Sequence, residues 1–102
     1  MGQFVRVANL SDVPVAACKE VEFDGRVVAL FNVNGQIHAL DGICPHAGGP
    51  LGEGQLDGTV VTCPWHGWQF DVSNGQNVRS AKLKQCVYQV KVENGEILLA
   101  QP

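Results

Sequence analysis

Cys44-Pro45-His46 and Cys63-Pro64-Trp65-His66 each set one thiol beside one imidazole, and residues 47–62 separate the two pairs. Four such side chains make a metal site. Thiolate ligands require a soft or borderline metal, and a mixture of Cys and His narrows the field to zinc or an iron–sulfur cluster. The order of the ligands favours iron: if two facing loops each supply one Cys and one His, the cysteines can go to one iron and the histidines to the other. Zinc fingers usually pair Cys with Cys and His with His and lead into a helix. Here both pairs are mixed and sit among Gly, Pro and Trp. A mononuclear zinc site on the same four residues is the alternative, and it would make the chain a structural zinc-binding interaction module.

Cys-x-His, a spacer and Cys-x-x-His-Gly, with Pro45 and Pro64 beside the cysteines and Gly67 after the second histidine, closely resembles the Rieske [2Fe–2S] ferredoxins. The resemblance is most direct over residues 43–71 and looser over the whole chain. It implies one Rieske [2Fe–2S] cluster per chain, held by Cys44, His46, Cys63 and His66. The implied fold is all-β: an antiparallel β-sandwich base with an inserted, loop-rich cluster-binding lobe. Cysteine binds as thiolate and histidine as neutral imidazole, so two histidines leave the oxidised cluster formally neutral and raise its potential above that of plant-type ferredoxins. High-potential members of the family resemble this chain in their ligands but carry Ser and Tyr hydroxyls where this chain has Trp68 and Phe70. Without those donors the reduced cluster is less well stabilised. Those members also tie their two loops with a disulfide, at positions that are Gly49 and Trp65 here. Both departures imply the soluble ferredoxin branch and a potential of about −150 mV rather than about +300 mV.

The residues left over limit what the chain can do. A Rieske oxygenase also needs a mononuclear iron held by two histidines and a carboxylate, and only His38 remains beyond the four ligands. Gly52-Glu53-Gly54-Gln55-Leu56-Asp57-Gly58 looks superficially like a phosphate loop, but it lacks the strand-then-helix context of a nucleotide fingerprint. No flavin or nicotinamide motif is present. The expectation is a one-electron carrier rather than an enzyme. By resemblance it is the ferredoxin component of a bacterial aromatic-ring-hydroxylating dioxygenase, taking electrons from a flavoprotein reductase and giving them to a terminal oxygenase. The small Rieske-like subunit of assimilatory NAD(P)H nitrite reductase is the alternative within the family. Docking is expected at the cluster tip, through His46, His66 and the loop around Pro50, with Glu53 and Asp57 as candidates to complement a basic partner. Trp65, between Cys63 and His66, either shields the cluster or joins that surface.

At 102 residues the chain is expected to be one domain, with a base of residues 1–40 and 76–102 and a lobe of residues 41–75. A net charge of −3 and 45% hydrophobic residues describe a globular protein without a basic nucleic-acid surface. The opening residues show no long apolar run, twin arginine or cleavage-site pattern, so a cytoplasmic protein without a membrane anchor is expected, monomeric or weakly associating. Helical periodicity is nearly absent, while β-branched runs punctuated by Asp-Gly and Asn-Gly recur. Strands are predicted over residues 4–8, 20–23, 26–33, 36–40, 59–62, 68–71, 85–93 and 96–100. Asn34-Gly35, Asn94-Gly95 and Asp24-Gly25 should close two-residue turns. Gly48-Gly49-Pro50-Leu51-Gly52 is expected to wrap over the cluster, bringing backbone N–H groups to sulfur. Trp68 and Phe70 are expected in the lobe core, and His38 on a strand surface. Cys86 should be a buried thiol on one strand face with Tyr88, Val90 and Val92, and a bridge to Cys18 stays open.

Overall fold

The computed structural model describes residues 3–45, 48–65, 67–80 and 82–102. Among the described residues nine strands run in the order β1 (Val5–Asn9), β2 (Cys18–Phe23), β3 (Arg26–Val33), β4 (Gln36–Asp41), β5 (Gln55–Asp57), β6 (Val60–Thr62), β7 (Gln69–Asp71), β8 (Gln89–Glu93) and β9 (Glu96–Ala100). They form three antiparallel three-stranded sheets, ordered β1-β9-β8, β2-β3-β4 and β5-β6-β7. Three hairpins close as the dipeptides require. Asp24-Gly25, Asn34-Gly35 and Asn94-Gly95 all hold positive φ angles, a conformation that Asn, Asp and Gly tolerate and β-branched residues do not.

β3 explains how the sheets stack. Its residues 28–32 are buried without a break, so both faces of the middle sheet are covered. Val28 and Leu30 point into one core with Ile37, Ala39, Ile97 and Leu99. Ala29 and Phe31 point into a second core with Leu40, Leu51, Val61 and Phe70. Strict alternation along β3 thus packs the first sheet on one side and the cysteine-bearing segment on the other. Asn32, buried in the middle sheet, donates Nδ2 to the Val13 carbonyl at 2.7 Å and accepts the Gly35 N–H on Oδ1 at 2.7 Å, so its amide is satisfied at both ends.

Four features differ from the sequence expectation. The long strand predicted over residues 85–93 begins only at Gln89, because the chain changes partners there. Val87 bridges Leu40, the Asp41 N–H donates to the Cys86 carbonyl, and the Tyr88 N–H donates to the Ala39 carbonyl, before β8 turns to β9. Cys86 is therefore half-buried on a crossing segment, not on a strand face, and it and Cys18 are both free thiols. The glycine-rich stretch before Gly58 contains a strand, β5, which pairs with β6 through Leu56 opposite Val61. Single turns of 3-10 helix at Leu10–Asp12 and Leu51–Glu53 carried no periodic signal, being three residues each. His38 is half-buried on β4 opposite Phe31 rather than at the surface, and burial pushes its imidazole below the usual range against the pull of Asp71.

Gln85, buried, ties the crossing segment to the start of the first cysteine loop: its Nε2 donates to the Asp41 carbonyl at 2.9 Å and the Ile43 carbonyl at 2.8 Å, one residue short of Cys44. Gln85→Leu strands both acceptors and should lower stability by about 1–3 kcal/mol in urea unfolding; an unchanged midpoint would refute the link. A depressed histidine pKa means that folding favours the neutral ring, so the unfolded chain binds the extra proton and stability falls as pH drops through the ordinary histidine value of about 6.5. Thermal unfolding of wild type and His38→Gln should therefore converge on acidification from about pH 7.5, the wild type losing more between there and about pH 5.5.

Candidate metal centre

Each cysteine sits just beyond a paired stem that holds its loop. In the first loop, Ile43 bridges Pro50, the Leu51 N–H donates to the Gly42 carbonyl, and the Cys44 N–H donates to the Gly49 carbonyl at 2.8 Å. The Gly48 N–H closes the tip on the Cys44 carbonyl at 2.9 Å. The second loop caps the β6–β7 hairpin, with Thr62 paired to Gln69 and the Cys63 N–H donating to the Trp68 carbonyl at 2.7 Å. Prolines 45 and 64 follow the cysteines, where neither needs to donate an N–H.

These stems bring the sulfurs together. Cys44 and Cys63 are 1% and 2% exposed, unbridged, and within hydrogen-bonding reach of each other. Burial raises the Cys63 thiol pKa, a backbone N–H from Trp65 opposes that shift by stabilising the thiolate, and neighbouring Cys44 raises it further. Gly49 leaves the gap that allows this approach: a Cβ there would lie 2.6 Å from Cys63 Sγ and 3.0 Å from Trp65 Cβ. Gly49 and Trp65, the positions that correspond to the family's disulfide, are thus neighbours carrying residues that cannot bridge. His46 and His66 lie outside the described residues. Among the described residues no third Cys, His, Asp or Glu joins the two cysteines.

The glycine-rich loop is held partly by its own backbone and partly against β2. Its Gly48 N–H is spent within the loop, and Gly52 lies against β2, where a Cβ would meet the Glu20 backbone N at 2.9 Å. A backbone N–H from Trp65 is one group that favours the Cys63 thiolate. Phe70 is fully buried in the same core as Cys44 and Cys63, Trp68 is half-buried against it, and Trp65 is 51% exposed. Ile43, beside Cys44, is also exposed, an apolar rim residue that alternation alone does not mark. Glu53 is exposed and lines a groove of about 290 Å³ with Gln55, Cys63 and Pro64; Asp57 is exposed at the end of β5.

Two buried, unbridged thiols meeting from facing hairpin loops, with an amide aimed at one sulfur and a glycine clearing the space, fit a thiolate-bound cluster. The Rieske [2Fe–2S] domain model matches residues 3–94, and the chain belongs to that family. Its cofactor is accordingly a Rieske-type [2Fe–2S] cluster, which displaces the zinc alternative. The chain is 33% identical over 97 residues to the ferredoxin component of the naphthalene 1,2-dioxygenase/salicylate 5-hydroxylase systems of a Ralstonia species, covering 94% of this chain and 93% of that one. It is 42% identical over 99 residues to the ferredoxin component of an alkene monooxygenase system of Xanthobacter autotrophicus, covering 95% of this chain and 80% of the relative. Among solved structures, a complex of reduced oxygenase and oxidised ferredoxin in carbazole 1,9a-dioxygenase matches with a TM-score of 0.86 at 32% identity, over 95% and 92% of the two chains. A nitrite reductase small subunit from Mycobacterium tuberculosis superposes with a TM-score of 0.91 over 100% and 97%, but at 22% identity it speaks for the fold alone. The relatives are ferredoxin components within multicomponent oxygenase systems, and this chain is likewise an electron carrier rather than a catalyst. No helix among the described residues is long and apolar enough to cross a membrane.

Gly49→Ala puts a methyl group into the space beside Cys63 Sγ. Purified protein should keep its β-rich circular dichroism but hold less iron and acid-labile sulfide per chain, by about half or more, since the added methyl meets both the Cys63 sulfur and the base of the Trp65 side chain. Full cluster content in that variant would show that the loop yields.

Proposed function

We propose that Cys44, His46, Cys63 and His66 hold the cluster and that the protein carries single electrons from a flavin-containing reductase to a terminal ring-hydroxylating oxygenase in the cytoplasm. The observation that carries the assignment is the convergence of buried Cys44 and Cys63 from two loops, each of which has a histidine two or three residues further on. When bound, the cluster supplies one reversible electron. The chain's own residues set the conditions: Phe31, Leu51 and Phe70 keep water from the sulfurs, and the Trp65 amide favours negative charge on Cys63. The lobe is assigned to residues 41–75 and the base to 1–40 and 76–102; sheet β5-β6-β7 and both cysteine loops fall in the former.

The potential is proposed to be low. Phe70 is packed in the cysteine core without a hydroxyl, and Trp68 beside it has none either, so neither offers the sulfurs the O–H donors of high-potential relatives. The direction of transfer follows from resemblance to oxygenase ferredoxins, since a carrier of that potential can be reduced by a flavoprotein. Identities of 33% and 42% to oxygenase ferredoxins favour this role over the nitrite reductase subunit, whose likeness to this chain extends to the fold.

Anaerobically purified protein, reduced and examined by electron paramagnetic resonance with iron and sulfide counts, should give a rhombic signal of low average g and equal iron and sulfide. Voltammetry should place the midpoint near about −150 mV, and Phe70→Tyr should move it upward by restoring a donor. Colourless protein containing zinc, or a midpoint above zero, would overturn the assignment or the potential respectively.

A further inference from the structure

The second cysteine loop is flanked by a basic surface that the ferredoxin reading does not use. A groove of about 360 Å³ opens beside it, lined by Gly67, Trp68, Gln69, Arg79 and Leu83 among others. Arg79, Lys82 and Lys84 are all exposed and fall within six consecutive residues. They are three of the chain's seven cations, and residues 72–92 contain no Asp or Glu although the whole chain carries ten. Among the described residues the ion pairs are Arg6–Glu96 and Lys91–Glu93, and the side chains of Arg79, Lys82 and Lys84 enter neither an ion pair nor a hydrogen bond.

The segment that carries these cations is built with care. Buried Asn77 accepts the N–H groups of Arg79 and Ser80 on its Oδ1, at 2.9 and 3.0 Å. Gln76 donates its Nε2 to the carbonyls of Ser80 and Leu83, at 3.0 and 3.1 Å, and the Leu83 N–H returns to the Ser80 carbonyl. The Val78 N–H ties the segment to β7 through the Gln69 carbonyl at 3.0 Å. Two side-chain amides thus hold residues 77–80 and Leu83 in place, next to the hairpin that presents Cys63. In the groove near Pro64, the charged lining residue is Glu53.

We infer that Arg79, Lys82 and Lys84 form a docking surface for a carboxylate-bearing face on one of the protein's redox partners, placing that partner over the second cysteine loop. The inference rests on the electron-carrier reading and adds the charge of the partner's surface. Three unpaired cations held on one short turn create a local positive field on a chain of net charge −3, and such a field steers encounter with an acidic surface where the net charge would oppose it.

Stopped-flow oxidation of the reduced holo-protein by two probes of opposite surface charge tests this. Plastocyanin offers an acidic face and cytochrome c a basic one. With wild type, the second-order rate to plastocyanin should fall as salt is added, despite negative net charge on both proteins. The triple variant Arg79→Gln, Lys82→Gln, Lys84→Gln should lose about tenfold in that rate at low ionic strength and react faster with cytochrome c. A plastocyanin rate that climbs with salt, and that the triple variant leaves unchanged, would overturn the inference while reduction of cytochrome c leaves the carrier reading standing. A protein that accepts no electron from dithionite would bring down both.

Discussion

Everything else in the molecule is arranged around keeping the Cys44 and Cys63 sulfurs close, buried and unbridged. Two thiols in an apolar site are individually inexpensive, but two thiolates there are not, as the raised Cys63 pKa records. A cationic centre held by these thiolates would remove that penalty, and its binding would be coupled to folding of the lobe through the protons the thiols give up. The gap at Gly49 and the Trp65 amide are the local terms of that coupling.

The sulfurs meet only if two loops from different hairpins are held in register, and that requires a rigid platform. The middle sheet supplies it by burying both faces. Val28 and Leu30 anchor it to the β1-β9-β8 sheet, and Ala29 and Phe31 to the cysteine core. Because odd and even residues of β3 serve different cores, a one-residue slip would exchange the two sets and unseat both at once. Gln85 fastens the strand end next to the first cysteine loop, and Gly52 lets the far end of that loop lie on β2. The lobe is thus attached at both ends of its first loop.

This division of labour explains what could be read from the amino-acid sequence. β3 and β9 matched their predicted spans because Asn34-Gly35 and Asn94-Gly95 punctuate them and local turn geometry sets the register. Residue type and spacing singled out Cys44 and Cys63 as a pair, and the structure packs both thiols into one core. What escaped was decided by non-local contacts. β5 has one apolar residue, Leu56, and exists because β6 is alongside it. Residues 85–88 alternate like the strand that follows, yet pair with β4, a choice made by tertiary packing that no periodicity records. The role of Gly49 is a matter of a missing Cβ facing a sulfur fourteen residues on; the resemblance marked its position, but only as a place where no disulfide forms.

The surface around the cysteine loops has a consistent physical logic. Ile43 and Trp65 are exposed apolar side chains next to the two cysteines, in a protein whose other large apolar residues are mostly inside. Close approach of a partner displaces water from such a rim and shortens the path for an electron, but apolar contact alone is slow to find its orientation. Charges flanking the rim supply orientation without adding much affinity, which suits a carrier that must leave after one electron. With Glu53 on one side of the second loop and Arg79, followed by Lys82 and Lys84 in the chain, on another, the local charge is polarised rather than uniformly acidic. A net charge of −3 therefore misdescribes what an approaching protein meets at the tip, where the sign of the field depends on the side from which it comes.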